Sequence, residues 1–185
     1  MIETIVESIS INLVTRNRVV LLKEVNGTRH LPIWIGDFEA HAIAMELQSA
    51  PSPRPMPYDL IKTLITDLEG VVERVVVNDL AHDVFFAQIV VSVGGRTIEL
   101  DSRPSDAIAV AVRVKCPILV AELVMDRAGV STEDDADELD DDSEDGTTAG
   151  IRTEDQLGIF RDFINTLDLD DFEKRGGRSA PRGEE

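Results

Sequence analysis

ELDSRPSDAIAVAVRVKCPILV, residues 99–120, is the stretch whose reading decides the fold. An apolar strand, RTIELD, runs into Asp101, Arg103 and Asp106, with two serines and a proline between them. A helix that is apolar almost all round follows over residues 105–114, and PILV reads as a short buried strand. Strand, helix and strand in one unit make a right-handed crossover that sets the two strands parallel. Outside this unit the elements keep no steady β-α-β-α beat. The expected class is therefore α+β: a mixed, largely antiparallel sheet with hairpins, packed by about three helices.

Working outward, Ile5, Ile9, Ile11 and Leu13 alternate and predict a first strand with those residues on one side. RVVLLKEVNGTRHLPIWI holds two β-rich runs around Asn26-Gly27, a strong hairpin signal, and Pro32 makes the second an edge strand or its start. A helix through about Ser49 follows, with Asp37 as its N-cap and Ala40, Ile43, Ala44 and Leu47 as its apolar stripe. APSPRPMP is a proline-broken loop. YDLIKTLITDLEG is a second helix, burying Leu60, Ile61, Leu64, Ile65 and Leu68 and stopping at Gly70. Two strands joined at Ala81-His82-Asp83 and a hairpin at Gly94-Gly95 lead back to the opening stretch. After it, AELVMDRAGV adds one or two helical turns ending at Gly129.

The chain has 185 residues, 43% of them hydrophobic, enough for one ordinary domain and an extension. Its net charge of −18 is unevenly placed. Residues 1–130 hold 12 Lys and Arg against 17 Asp and Glu, a net of −5, and the rest carries −13. Ten of the thirteen residues 133–145 are acidic, so residues 131–150 read as a disordered linker. Leu157, Phe160, Ile164 and Leu167 recover helical spacing, which predicts an amphipathic C-terminal helix over 151–172 and a disordered end over 173–185. No basic stripe grips a phosphate backbone, no stretch is apolar enough to span a membrane, and no signal-peptide pattern opens the chain. The lone Cys116 makes neither an internal disulfide nor a thiol metal site, and a cytoplasmic protein is expected.

Capping accounts for part of the opening stretch. Ser102 or Ser105 serves as the cap, Pro104 suits the first turn, and Asp106 favours a helix N-terminus. Asp101 and Arg103 are left over. A second Arg-Pro turn, Arg54-Pro55, leads to Asp59 at another helix start. If the two ends converge, Arg54, Asp59, Asp101, Arg103 and Asp106 line one cleft, where carboxylates hold a divalent metal and arginines hold phosphate oxygens. Glu39 and His41 on the first helix read first as a dipole-favoured acid and a surface histidine. Trp34 reads as core or oligomer contact, and His30 and His82 have no zinc spacing.

LPIWIGDFEAHAIAMEL, RPMPYDLI, VVVNDL with FFAQIVV, and IELDSRPSDAIAVAVRVKCPILV resemble successive segments of the bacterial bifunctional nuclease family. The resemblance covers roughly residues 5–130 and is most specific in DSRPSDAIAVAVR. It implies an α+β domain that self-associates and cleaves DNA and RNA, with motif positions Glu39, Arg54, Asp59, Asp101, Arg103 and Asp106. Members usually carry histidine where this chain has Tyr58, and tyrosine is a poor base at neutral pH.

Two functions follow as expectations. One is metal-assisted phosphodiester hydrolysis, with Asp59, Asp101 and Asp106 on Mg²⁺ or Mn²⁺ and Arg54 and Arg103 on the phosphate. The other is a non-catalytic oligomeric module that regulates or binds a protein or a small anion, which the acidic surface favours. Either way a homodimer or larger even-numbered oligomer is expected.

Overall fold

A computed structural model describes residues 1–11, 17–50 and 52–131. The expected acidic linker, C-terminal helix and chain end lie outside the described residues. Within them the order is β1 (Ile2–Ile11), β2 (Arg18–Glu24), β3 (Arg29–Ile35), α1 (Asp37–Leu47), α2 (Pro57–Asp67), β4 (Gly70–Ala81) and β5 (Val84–Val93). β6 (Arg96–Ser102), α3 (Pro104–Val114), β7 (Ile118–Val120), α4 (Glu122–Ala128) and β8 (Val130–Ser131) complete it. The fold is α+β, and among the described residues no helix is long and apolar enough to cross a membrane.

One eight-stranded sheet runs β6-β5-β4-β7-β1-β2-β3-β8, antiparallel except where β7 lies parallel to β4. The two antiparallel hairpins β4–β5 and β5–β6 turn β6 back to the direction of β4, so β6 and β7 are parallel as expected. They are not neighbours, because α3 carries the chain across β5 and β4. The β5–β6 turn uses Gly94 and Gly95, both at positive φ, the conformation only glycine adopts freely. His82 and Asp83 adopt the same left-handed pair at the β4–β5 turn.

α3 is the centre of the fold. It packs on α1, α2, β4 and β5, and Ala107, Ile108, Ala109, Val110 and Ala111 are essentially inaccessible. Each fully buried Val or Ile contributes about 1.5–3 kcal/mol, and the alanines let the neighbouring helices come close. Ile2, Val20, Leu22, Leu31, Ile33, Val75, Val77, Ile89 and Val120 supply the sheet's side of this core.

Four local expectations are corrected. The β1 register slips between Val6 and Ser8, so Ile2 and Thr4 face inward before the bulge and Ile9 after it, while Ile5 and Ile11 stay exposed. On α2, Leu60, Leu64 and Leu68 are 57–64% exposed and only the Tyr58, Ile61 and Ile65 side meets the core. Two adjacent apolar stripes read as one in sequence, and α3 covers only one of them. On α1 the buried residues are Ala40, Ala42 and Ile43, with Leu47 exposed. Gly36, not Asp37, is the N-cap of α1, and Arg103 is that of α3, neither with a side-chain cap bond.

Candidate functional site

Three helix starts share one network of side chains. The first turn of α1 carries Glu39, that of α2 Tyr58 and Asp59, and that of α3 Asp106, with Arg103 just before it. Pro57 and Pro104 fit the first helical positions because their missing N–H has no helical partner there. The acids favour these N-terminal ends electrostatically. Instead of capping their own helices, most of these groups engage one another.

Arg103 is the hub. Its Nε donates to Asp106 Oδ2 at 2.6 Å and its Nη2 to Asp106 Oδ1 at 3.0 Å, a two-bond fork. The same Nη2 donates to Glu39 Oε1 at 2.7 Å, tying α3 to α1 across 64 residues of sequence. The Tyr58 hydroxyl donates to Asp106 Oδ1 at 2.7 Å, which adds α2. The Arg103 side chain is nevertheless 66% exposed, against 13% for Glu39. Burial opposes ionisation of Asp106, but hydrogen bonds from Arg103 and Tyr58 prevail and hold its carboxyl below the usual carboxylate range. Burial, then the Asp106 carboxylate, push the Tyr58 phenol well above its ordinary value, so it stays a proton donor at neutral pH. Gly36 makes room for Glu39, since a Cβ there would occupy the place of Glu39 Oε2.

A second, buried arginine adjoins the first network. Arg113, on α3, is 3% exposed and donates from Nε to Asp59 Oδ1 at 2.7 Å. Its Nη1 donates to the Ala109 carbonyl and its Nη2 to that of Ala42 on α1. Its guanidinium carbon lies 5.3 Å from the centre of the Tyr58 ring. Burial opposes ionisation of Asp59 too, but the Met56 N–H and Arg113 prevail and lower its pKa.

The expected single cleft is corrected. Directly paired strand residues point to the same side of a sheet. Ala87 and Ile89 belong to the core that includes α3, so their partners Ser102 and Leu100 face the helices. Asp101, paired with Gln88, faces the opposite side, away from Asp59 and Asp106. Arg54 lines a cleft of about 360 Å³ with Asp59, Arg113 and Glu46, while Arg103 borders a different cleft with Trp34 and Phe85. Structure thus brings Glu39, Arg103 and Asp106 together and leaves Arg54 and Asp101 outside that cluster.

The donors do not fit the expected divalent metal. Among the described residues no three His, Cys, Asp or Glu side chains gather closely enough to hold an ion. Asp59 and Asp106 each already bind an arginine, and Asp101 lies across the sheet. His41 is exposed on α1, and His30 is buried with its Nε2 3.1 Å from Glu7 Oε2. Cys116 is a half-buried thiol whose pKa burial pushes up to about 11.

Sequence reasoning missed Arg113 and the bond of Tyr58 to Asp106. The signal for Arg113 was present: one cation inside the apolar run AIAVAVRV. A charge in a buried helix requires a partner.

The family model of the bifunctional nuclease domain matches residues 20–133, from within β2 past β8, and so spans every residue of both networks. An uncharacterised protein of Mycobacterium tuberculosis is 42% identical over 154 residues, 83% of this chain and 87% of that protein. Bifunctional nuclease 1 of Arabidopsis thaliana is 33% identical over 105 residues, and Bifunctional nuclease 1 of Oryza sativa subsp. japonica 30% over 105. These matches take in 55% of this chain but only 32% of each plant protein. The helix-start network is therefore carried on a chain that belongs to the bifunctional nuclease domain family.

Proposed function

We propose that this protein is a nuclease that hydrolyses phosphodiester bonds in DNA and RNA, with Glu39, Tyr58, Arg103 and Asp106 as its centre. The observation that carries the reading is the exposed Arg103, gripped by carboxylates from two helices at the edge of a cleft. Its Nη1 makes no hydrogen bond among the described residues and is free to take a phosphate oxygen. Asp106 and Glu39 fix the guanidinium so that little reorganisation is needed as charge builds on the phosphate. Water attacks phosphorus, the bond to the leaving sugar oxygen breaks, Glu39 takes the proton of the attacking water through its Oε2, and solvent water protonates the departing oxygen. Tyr58 keeps its proton and holds Asp106 ionised.

Cleavage of single-stranded DNA and RNA by the purified chain, with and without added Mg²⁺ or Mn²⁺, tests this. Arg103→Ala should lose about 10²–10³-fold in rate and Glu39→Gln about 10²–10⁴-fold. Glu39→Gln should melt close to the unaltered protein, while Arg103→Ala, which leaves the 13% exposed Glu39 without its cation, should lose about 1–3 kcal/mol. Asp101→Ala, across the sheet, should cleave normally. Absence of cleavage by the unaltered protein in every metal refutes the reading.

One observation favours the non-catalytic binding module instead: Asp59 and Asp106, and one oxygen of Glu39, are already bound to an arginine, which leaves few carboxylate oxygens for proton transfer. Binding of a small anion at Arg103 without turnover would select it. Self-association belongs to either reading, with the exposed leucines of α2 as support. A monomer in light scattering would remove it.

A further inference from the structure

Arg54 stands outside the Arg103 cluster, and the mechanism above leaves it without a task. It lines a cleft of about 360 Å³ between the last turn of α1, the loop before α2 and the buried Arg113. The charged groups of this cleft are Glu46, Arg54, Asp59 and Arg113. Two of them are satisfied. Arg113 donates to Asp59 Oδ1 and to the Ala109 and Ala42 carbonyls, and Asp59 Oδ2 accepts from the Met56 N–H. The other two are not. Neither the Arg54 nor the Glu46 side chain makes a hydrogen bond or an ion pair among the described residues. Arg54 is held in place even so: Pro53 and Pro55 stiffen the backbone on either side, and the Ser52 hydroxyl donates to the Arg54 carbonyl at 2.6 Å. Glu46 is partly buried in the last turn of α1, a helix end that is itself negative and has no basic residue to offset it. A carboxylate in that place destabilises the helix, and no partner in the fold compensates it.

A free cation and a free carboxylate lining one cavity select a ligand that is anionic at one end and carries N–H donors at the other. Glu46 repels a phosphate, which puts the phosphate at Arg54 and the donors at Glu46. Met45, Met56, Pro53 and Pro55 supply apolar walls, and thioether sulfur packs well against aromatic rings. A nucleotide has this polarity, and the volume lies within the roughly 300–1,000 Å³ of small-molecule sites. Among the bases, guanine alone sets two N–H donors side by side, N1 and the N2 amine, to match the two oxygens of a carboxylate. Adenine and cytosine set a ring acceptor beside their amine, and uracil and thymine flank their one N–H with carbonyls. We propose that this cleft is a subsite for a guanine nucleotide, with its phosphate on Arg54 and its base edge on Glu46; its part in cleavage rests on the nuclease reading above. The cleft adjoins the Arg103 centre, because Tyr58 bonds Asp106 and the next residue, Asp59, lines the cleft.

Equilibrium dialysis of the full chain against GMP, AMP, CMP, UMP and inorganic phosphate reads binding without cleavage. GMP should bind about 10- to 100-fold more tightly than the other nucleotides, and phosphate more weakly than any of them. Glu46→Gln should bring GMP down to the level of AMP with no fall in Tm, since the carboxylate has no partner to lose. Arg54→Ala should weaken all four nucleotides about 10-fold. Equal binding of GMP and AMP, phosphate as tight as GMP, a guanine preference that survives Glu46→Gln, or nucleotide binding untouched by Arg54→Ala overturns the proposal. In a mixed-sequence single-stranded RNA, cuts should fall beside guanines, and Glu46→Gln should erase that bias. If the unaltered protein cleaves with no such bias, the subsite falls and the nuclease reading stands. If it does not cleave but binds GMP selectively, the nuclease reading falls alone. If it does neither, both fall.

Discussion

Arg113→Met is the substitution that most directly tests how the three helices are held. Methionine nearly fills the volume of the side chain, so cavity formation contributes little. What goes is the ion pair to Asp59 at 2.7 Å and the hydrogen bonds to the Ala109 and Ala42 carbonyls. Removing one partner of a buried pair costs about 3–5 kcal/mol, mostly because the other charge is stranded. Asp59 is not fully stranded here: it is 36% exposed and keeps the Met56 N–H, so the expectation lies at the low end, about 3 kcal/mol. For a domain of this size that lowers Tm by about 10 °C. Arg113→Lys keeps the charge but not the fork, and about half the loss is expected. The pH dependence carries the sign. The pKa of Asp59 is lowered on folding, so its stabilisation is present above the ordinary value near 3.8 and is lost as pH falls through the folded value. The gap between unaltered protein and Arg113→Met, measured by thermal unfolding, should therefore narrow from pH 7 to pH 3. A loss under about 3 °C, or a gap that does not narrow, refutes the reasoning.

Three further outcomes are expected. Tyr58→Phe removes the hydroxyl from Asp106 but keeps the ring beside Arg113, so urea unfolding should register a loss of about 1.5 kcal/mol and carboxylate NMR a higher pKa for Asp106. Gly36→Ala suits the backbone, whose φ is −74°, yet displaces the Glu39 carboxylate; stability should hold within about 0.5 kcal/mol while cleavage falls toward that of Glu39→Gln. Cys116, its thiol pushed up to about 11, should react with iodoacetamide at mildly alkaline pH about 100-fold more slowly than in the unfolded chain, and rapid native labelling seen by mass spectrometry would contradict its burial.

Local rules made much of the fold legible in the sequence. Asn26-Gly27 and Gly94-Gly95 both fall in the hairpin connections they marked, but only Gly94 and Gly95 take the positive φ that makes glycine necessary there. The run from Ala107 to Ala111 announced a helix buried on all sides, and β6 and β7 came out parallel. The class, α+β, and the resemblance to bifunctional nucleases followed from the same residues. Partnership was not legible, because it depends on parity and distance through space. Asp101 and Asp106 stand five residues apart, yet strand alternation turns one away from the helices while a helix start turns the other into the network. Glu39 and Arg103 are 64 residues apart and meet because α1 and α3 pack together. Asp59 was expected opposite Arg103 and instead binds Arg113, more than two turns along α3. Composition and periodicity mark which faces are able to leave water, and packing decides which of them do, as the exposed Leu60, Leu64 and Leu68 show. Which charge then neutralises which is decided only when packing sets helix against helix, since an ion pair forms between whichever groups the core brings within about 4 Å.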